Sequence, residues 1–187
     1  MDRIANPARR KAFKVIACAA GLYSFGALSG KAFASEFWSL PRSLVLRRPV
    51  TDEFVKATYW ADGHLVQSEY QRLCHILRDV QANQTTEMSI GLLNILCGVQ
   101  GFFRAHGQDR VIDITSGLRT PATNGRTEGA ARNSLHQTGN AADIRIAGVP
   151  SDYLGRLGKY LEGGGVGIYP SRNFTHVDDG QVRSWRG

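Results

Sequence analysis

Three residues with metal-binding side chains, His136, Asp143 and His176, restrict the possible folds of this chain more than any other feature of its sequence. Two imidazoles and one carboxylate are a common catalytic zinc ligand set, because three protein ligands leave a fourth tetrahedral position for water. Structural zinc sites are instead closed by four protein ligands, mostly cysteines. The residue types therefore predict an open Zn²⁺ site suited to hydrolysis, formed by segments far apart in the sequence.

The first two of these residues lie on either side of a predicted turn. His136 and Asp143 are seven residues apart with Gly139 between them, which disfavours a helix. We expect the chain to turn at Gly139 and to enter a short strand, Ala141 to Ile146, that carries Asp143. His136 would then reach the metal from the loop before this strand.

The third residue lies on a later predicted strand. Three glycines at 163–165 interrupt the chain before two β-type runs, at 166–169 and 174–178. His176 and Asp178 are two residues apart on the second run, so they point to the same face of the strand. A metal between neighbouring strands could bind Asp143 from one and His176 from the other, with Asp178 beside it.

These residues fall in motifs that resemble a known family. The motifs, in chain order, are Ser116-Gly117-Leu118-Arg119-Thr120-Pro121, Ser134-x-His136-x-x-Gly139-x-Ala141-x-Asp143, Gly164-Gly165-Val166-Gly167-x-Tyr169-Pro170 and Phe174-x-His176-Val177-Asp178. Their order and the span from Leu65 to Trp185 resemble the murein endopeptidase K family of peptidoglycan-cutting zinc peptidases, in the D-Ala-D-Ala carboxypeptidase-like branch of the lysostaphin and hedgehog metallopeptidase group. The resemblance implies that His136, Asp143 and His176 are the zinc ligands.

The sequence departs from the wider group at the position of the catalytic base. Several relatives place an acidic residue three positions before the last histidine, or a second histidine two before it, whereas this chain has Asn173 and Phe174 there. Strand geometry makes Asp178 our candidate instead. It could accept a proton from the metal-bound water, or accept a hydrogen bond from a ligating histidine and fix its tautomer; we expect the catalytic role.

Two further residues belong to the predicted site. Arg119 follows a strand end, and its guanidinium group is suited to hold a substrate carboxylate or to polarise the scissile carbonyl. The alternative for Arg119 is a loop salt bridge. Ser134 could cap a turn, or lie close enough to His136 to assist substrate binding. Tyr169, Phe174 and Trp185 are expected to be packing groups.

The first 34 residues have the pattern of an export signal, with a basic start, an apolar segment from Val15 to Gly30 and an A-x-A cleavage site ending at Ala34. The segment from Arg9 to Lys14 also resembles a twin-arginine signal; an ordinary secretory signal is the alternative. Cleavage after Ala34 would release residues 35–187 into the periplasm as a single zinc peptidase domain, without stable membrane insertion.

The charge of the chain lies mostly in this leader. The whole sequence has a net charge of +7, but residues 1–34 hold six of its 23 Lys and Arg and only one of its 16 Asp and Glu, which leaves +2 for the remainder. A nucleic-acid partner is therefore not expected. We expect a monomer that acts on peptidoglycan cross-link peptides.

The rest of the chain predicts helices and strands around this site. Helices are expected from about Gln67 to Val80, from Ser89 to His106 and from Asp152 to Leu161, and a strand from Arg110 to Thr115. Cys74 and Cys97 could form a disulfide or remain buried thiols. The other three histidines, which are structural or surface residues in this interpretation, are His64, His75 and His106.

Together these features predict an α+β fold: a small antiparallel sheet with helices packed on one side and a zinc cleft at the sheet. The predicted function is a zinc-dependent murein endopeptidase that hydrolyses peptide cross-links in the cell wall. A zinc-bearing, non-catalytic cell-wall binding module, a D-Ala-D-Ala carboxypeptidase and an envelope protein without metal remain open. The residues leave open whether the bond joins D-Ala to diaminopimelate, two diaminopimelates, or two terminal D-Ala.

Overall fold

The computed structural model describes residues 40–187. The predicted export signal and its cleavage site after Ala34 therefore lie outside the described residues. Within the described part of the chain, no helix has the length and hydropathy that a bilayer crossing requires.

The described residues form one eight-stranded sheet. Its strands in spatial order are β3-β2-β1-β4-β5-β7-β6-β8. Their bounds are Arg42–Arg48 (β1), Glu53–Ala61 (β2), His64–Leu65 (β3), Ile112–Ser116 (β4), Ala141–Arg145 (β5), Gly165–Tyr169 (β6), Phe174–Asp178 (β7) and Arg183–Arg186 (β8). Two neighbouring pairs, β1 with β4 and β6 with β8, are parallel, and the other pairs are antiparallel.

Four α-helices accompany the sheet within residues 40–187. They are Gln67–Ile76 (α1), Ile90–Ala105 (α2), Pro121–Arg126 (α3) and Ser151–Leu161 (α4), and a short 3₁₀ turn covers Leu135–Thr138. The Ser89 side chain caps α2 by accepting a hydrogen bond from the backbone N–H of Gly91. Helix α3 was not predicted from the sequence; Thr120 caps it and Pro121 occupies its first turn, a favourable combination for starting a helix.

The core lies between the three longer helices and one face of the sheet. Helix α1 packs on β1 and β2, α2 on β1 and β7, and α4 on β6 and β7. The strands contribute alternate residues to this core, for example Leu44 and Leu46 from β1 and Ile112 and Ile114 from β4. On β5 the core residues Ala142 and Ile144 flank Asp143, which therefore points to the opposite face.

The predicted α+β class and the helices on one side of the sheet are confirmed. The sheet is larger than the small antiparallel one that we expected, and it is mixed. The parallel contact of β1 with β4 pairs Leu46 with Ile112. The segment between these two strands contains two strands and two helices. A local sequence pattern cannot predict a pairing between strands so far apart in the chain.

Cys74 and Cys97 are both buried free thiols in this fold. The Cys74 sulfur accepts a hydrogen bond from the backbone N–H of Met88, whereas the Cys97 thiol lies near the carbonyl of Ser43. The sequence left open a disulfide or two buried free thiols, and the structure has the two free thiols.

Candidate metal centre and cleft

The three predicted metal-binding residues converge in the structure. Asp143 Oδ1 lies 3.2 Å from His136 Nε2 and 2.9 Å from His176 Nδ1, and the two nitrogens are 3.1 Å apart. All three residues are buried, with exposed fractions of 1% for His136, 6% for Asp143 and 8% for His176. They form the one cluster of potential metal ligands found within residues 40–187.

Strand pairing brings two of these side chains together. Strand β5 pairs antiparallel with β7, and in that register Asp143 lies directly opposite His176. Opposite residues in an antiparallel pair have their Cβ atoms about 5 Å apart on one face, within reach of a shared ion. The predicted placement of these two residues on neighbouring strands is thus found.

A tight turn delivers the third side chain. His136 lies in the 3₁₀ turn, which Ser134 caps and Gly139 ends in the left-handed conformation, with φ of 71°. Such a conformation favours glycine. A Cβ atom at Gly139 would also approach the Glu87 carbonyl oxygen to 2.9 Å. The glycine expected to turn the chain therefore also allows close packing against the segment before α2.

The far nitrogens of both histidines have acceptors. His136 Nδ1 lies 2.6 Å from the carbonyl oxygen of Gly117, and His176 Nε2 lies 3.0 Å from Asp178 Oδ2. An N–H donated to each acceptor leaves Nε2 of His136 and Nδ1 of His176 free of protons and directed at each other. Metal-binding histidines in proteins are commonly oriented in this way.

Asp178 lies on the side of His176 that faces away from the cluster. Its side chain is fully buried, and both oxygens are occupied. Oδ1 accepts from the backbone N–H groups of Gly165 and Gly180, and the Arg183 guanidinium binds both oxygens at 3.0 and 2.8 Å. Of the two roles expected for Asp178, this geometry favours orienting His176 over accepting a proton from water.

Arg119 contacts the metal-binding cluster directly. Its Nη2 donates to Asp143 Oδ2 at 2.7 Å, and its Nε donates to the Ser116 hydroxyl at 2.9 Å. The salt bridge alternative for Arg119 is therefore realised with a candidate metal ligand as partner. Nη1 takes part in neither contact, and Arg119 also lines the cleft described below.

Ser134 lies at the start of the turn that carries His136. Its hydroxyl accepts a hydrogen bond from the backbone N–H of His136 at 3.3 Å. The capping role expected for Ser134 is thus present, and the residue also lines the cleft.

The charges of the cluster follow from its burial and contacts. Burial lowers the pKa of His136. Burial would raise the pKa of Asp143, but the charges and hydrogen bonds of His136 and His176 outweigh it and hold this pKa well below its usual range. For His176 burial acts to lower the pKa, and hydrogen bonds to Asp143 and Asp178 raise it above its ordinary value. A buried carboxylate that stays ionised between two imidazoles suits a divalent cation.

The cluster lies in an open cleft of about 920 Å³. Five arginines line this cleft: Arg48, Arg119, Arg145, Arg172 and Arg183. Its acidic lining residues are Asp79, Glu128 and the candidate ligand Asp143. The cleft is therefore rich in positive charge, which suits an anionic ligand.

Aromatic side chains form one wall of the cleft. Tyr169 and Phe174 stack with ring centroids 4.4 Å apart, and the Trp185 indole N–H donates to the Tyr169 hydroxyl at 2.9 Å. The Trp185 ring lies 5.2 Å from that of His176. These three residues do pack together, as the sequence indicated, but they also line the cleft.

Three groups of the site were missed in the sequence. Gly117 acts through its backbone carbonyl, which no residue-type pattern reveals, although it lies inside a matched motif. No sequence motif singled out Arg183 or Arg48. Arg183 lies only five residues after its partner Asp178, but the contact depends on how the chain folds back between β7 and β8, and Arg48 faces groups distant in sequence.

The remaining histidines lie outside the cluster. His64 Nδ1 lies 2.7 Å from the Asp62 carbonyl, and His106 Nδ1 lies 2.7 Å from that of Phe102. His75 Nε2 lies 3.3 Å from Glu53 Oε1. The surface or structural role expected for them is consistent with these contacts.

Comparison with known proteins places this chain in a family. A family described as peptidoglycan L,D-endopeptidase MepK matches residues 38–185 of the chain. The peptidoglycan L,D-endopeptidase MepK of Escherichia coli K12 is 34% identical over 158 residues, which cover 82% of this chain and 85% of that protein. The probable peptidoglycan L,D-endopeptidase MepK of Haemophilus influenzae is 33% identical over 151 residues, 79% of this chain and 80% of the relative. With a match of this extent, the chain belongs to the family of the peptidoglycan L,D-endopeptidase MepK.

Proposed function

We propose that this protein is a zinc-dependent peptidoglycan endopeptidase that hydrolyses peptide cross-links of the cell wall. The observation that carries this proposal is the convergence of His136 Nε2, Asp143 Oδ1 and His176 Nδ1 to within 3.2 Å of one another. Membership of the MepK family supports the same conclusion.

The donor set fits zinc in type and spacing. Ligand atoms about 2.1 Å from a tetrahedral zinc lie about 3.4 Å apart, close to the separations of the three candidate atoms. We propose these three atoms as the ligands. Bound there, zinc would polarise the scissile carbonyl and lower the pKa of its water towards ~7.

The surrounding residues hold the ligands in place. Asp178 accepts the Nε2 proton of His176, and the Gly117 carbonyl accepts the Nδ1 proton of His136. Arg119 neutralises and positions the second oxygen of Asp143. We propose that Asp178 is a positioning residue, and that Arg119 both supports Asp143 and presents Nη1 to the substrate or the developing oxyanion.

The names of the relatives favour one cross-link. In an L,D bond an L-configured residue supplies the carbonyl and a D-configured residue supplies the nitrogen. Of the three bonds that the sequence left open, the link between two diaminopimelates has this configuration, and the two that begin at D-Ala do not. We therefore propose the diaminopimelate–diaminopimelate cross-link as the substrate.

We further propose that the protein works in the periplasm, after cleavage following Ala34. Peptidoglycan lies outside the cytoplasmic membrane, so an enzyme that cuts it must be exported. One chain supplies every group of the candidate site described above, which supports a monomer as the active unit.

Digestion of purified cross-linked muropeptide dimers, followed by mass spectrometry, tests the proposal. The zinc-loaded wild type should convert diaminopimelate-linked dimers into monomers. His176→Ala should lose both bound metal and activity, whereas His75→Ala, a change at a histidine outside the cluster, should retain both. A zinc-loaded wild type that binds but cuts no dimer would favour the binding module, and removal of terminal D-Ala alone would favour a carboxypeptidase.

A further inference from the structure

Arg48 is a buried cation whose guanidinium group lacks a partner in the described protein. The residue is 4% exposed, and its Nε and Nη1 have no hydrogen-bond partner among residues 40–187. It follows Leu44 and Leu46 on the core-facing side of β1, at the end of the strand where the core opens into the cleft. Arg48 therefore occupies a position at which the alternation of β1 predicts an apolar residue.

The acidic residues around Arg48 are committed to other groups. Glu53 pairs with Arg78, Asp143 pairs with Arg119, and Asp79 accepts from backbone N–H groups. Their charges still act on Arg48: burial lowers the pKa of Arg48 and the charge of Arg78 lowers it further, whereas Glu53, Asp79 and Asp143 oppose both effects. Arginine nevertheless remains charged in proteins. The positive charge is thus present without a carboxylate hydrogen-bonded to it.

An unpaired buried charge of this kind is costly. Nε and Nη1 are almost closed to solvent, so water satisfies them poorly, and an anion that approaches the guanidinium group from the cleft and neutralises its charge is favoured. Because the side chain lines the same cleft as the metal-binding cluster, a bound ligand can supply that anion.

The position of Arg48 separates it from the reacting bond. In the sheet order β4 lies between β1, which carries Arg48, and β5, which carries Asp143. Neighbouring strands are about 4.8 Å apart, so the two backbones are about 10 Å apart. The two side chains also leave opposite faces of the sheet, and they share the cleft only where the core ends. A ligand group at Arg48 would therefore lie away from the scissile carbonyl.

We propose that Arg48 is a specificity-determining residue that binds a free carboxylate of the cross-link peptide at the end of the cleft remote from the metal. The inference rests on the proposed function, because the carboxylates are the anionic groups of such a peptide. A contact distant from the reacting bond stabilises the bound substrate and the transition state alike, so its loss raises KM and leaves kcat unchanged.

Substrates with and without free carboxylates test the role of Arg48. Diaminopimelate-linked dimers would be compared with the same dimers after conversion of every free carboxylate to an amide. Arg48→Gln should raise KM about tenfold to hundredfold for the carboxylate form, as expected for a hydrogen bond to a charged group, and should leave KM for the amidated form unchanged. An equal rise in KM for both forms, or no rise for either, would overturn the proposal.

The adjacent residue provides the matched control. Arg47 points to the other face of β1 and pairs with Asp113 on the surface. Arg47→Gln removes the same charge from the next position and should change neither KM nor kcat for either substrate. A KM increase with Arg47→Gln equal to that with Arg48→Gln would mean that the general charge of the protein, not a subsite, is responsible.

Binding and stability measurements keep this inference separate from the proposed function. Calorimetric titration of metal-free protein with uncross-linked stem peptide, free or amidated, should show the same dependence on Arg48 without any hydrolysis. Uncut dimers together with this binding difference would refute the proposed function but support the carboxylate-binding role of Arg48.

Arg48→Met should keep or raise the Tm of the free protein, since it removes an unpaired buried charge; a lower Tm would mean that the protein itself satisfies the guanidinium group.

Discussion

At the scale of single residues, the candidate centre depends on groups that are not themselves ligands. Each of the three candidate metal ligands has one dedicated partner: Gly117 for His136, Asp178 for His176 and Arg119 for Asp143. These partners fix which atom of each side chain faces the metal position. Outer contacts of this type commonly change metal affinity or activity by ten- to a hundredfold.

The first prediction concerns Asp178. Asp178→Asn should weaken zinc binding by about ten- to a hundredfold, because an amide oxygen accepts the Nε2 proton of His176 less strongly than a carboxylate does and the amide can present its NH₂ group to Nε2 instead. Competition with a chromogenic chelator measures this affinity. Asp179→Asn is the control, since Asp179 hydrogen-bonds Ser89 and Asn140 instead. Unchanged zinc affinity combined with lost activity would restore Asp178 as the proton acceptor.

The second prediction concerns Asp79, which connects two loops beside the cleft. It accepts hydrogen bonds from the backbone N–H groups of Gln81, Ala82 and Thr120. Burial alone would raise the pKa of Asp79, but hydrogen bonds from Thr123, Thr120 and Ala82 outweigh it and lower the pKa to about 2. Asp79→Asn should lower the free energy of unfolding at pH 7 by about 1–3 kcal/mol.

The pH dependence of this effect has a defined sign. The folded pKa of Asp79 lies below the unfolded value of about 3.9, so its contribution to stability is complete above the unfolded pKa. The contribution is lost as the pH falls from about 4 towards about 2. Denaturant unfolding of wild type and Asp79→Asn at several pH values should therefore give curves that converge in acid; a difference independent of pH would contradict the assignment.

At the scale of elements, the register of β5 against β7 determines the centre. A shift of one residue would move Asp143 or His176 to the core face, because side chains alternate across a strand. Both strands and the turn at Gly139 could be predicted from local patterns of β-formers and glycines. The pairing of β1 with β4 could not, since it depends on contacts between segments separated by four other elements. The same reason explains why Arg48 was missed, because the groups around it, such as Asp79 and Asp143, come from distant parts of the sequence.

The turn after β4 gives the third prediction. A Cβ atom at Gly117 would lie 2.1 Å from the Leu77 carbonyl oxygen, so the backbone must shift to accept it. Gly117→Ala should therefore lower stability and displace the carbonyl that orients His136, which weakens zinc binding. Gly125→Ala in α3 is the matched control, because a Cβ there meets nothing within 4 Å. Gly117→Ala should have a lower Tm and a lower zinc affinity than Gly125→Ala, measured by thermal unfolding and zinc titration. Equal values for the two variants would show that the turn tolerates a side chain.

At the scale of the whole molecule, one continuous core supports a sheet whose other face carries the centre. Helices α1, α2 and α4 bury one face, and the cleft opens where that core ends, at Arg48 and Leu118. The fold class and the three residues that converge in the candidate centre could be predicted from residue types and motifs. The mixed eight-stranded sheet and the positive lining of the cleft could not, because they arise only when distant strands assemble.

The fourth prediction concerns the whole molecule and its cysteines. Because Cys74 and Cys97 are separate buried thiols, the fold of residues 40–187 does not depend on a disulfide. Treatment with dithiothreitol should leave the Tm unchanged, and thiol titration after denaturation without reductant should find both thiols. A Tm that falls on reduction would contradict this arrangement.

The most direct test of the account is the anomalous diffraction of zinc-loaded crystals on both sides of the zinc absorption edge. We predict one peak per chain within about 2.0–2.2 Å of His136 Nε2, Asp143 Oδ1 and His176 Nδ1, with a non-protein ligand in the fourth position. A peak elsewhere, or a fourth protein ligand closing the site, would contradict the proposal that these three side chains form a hydrolytic zinc centre.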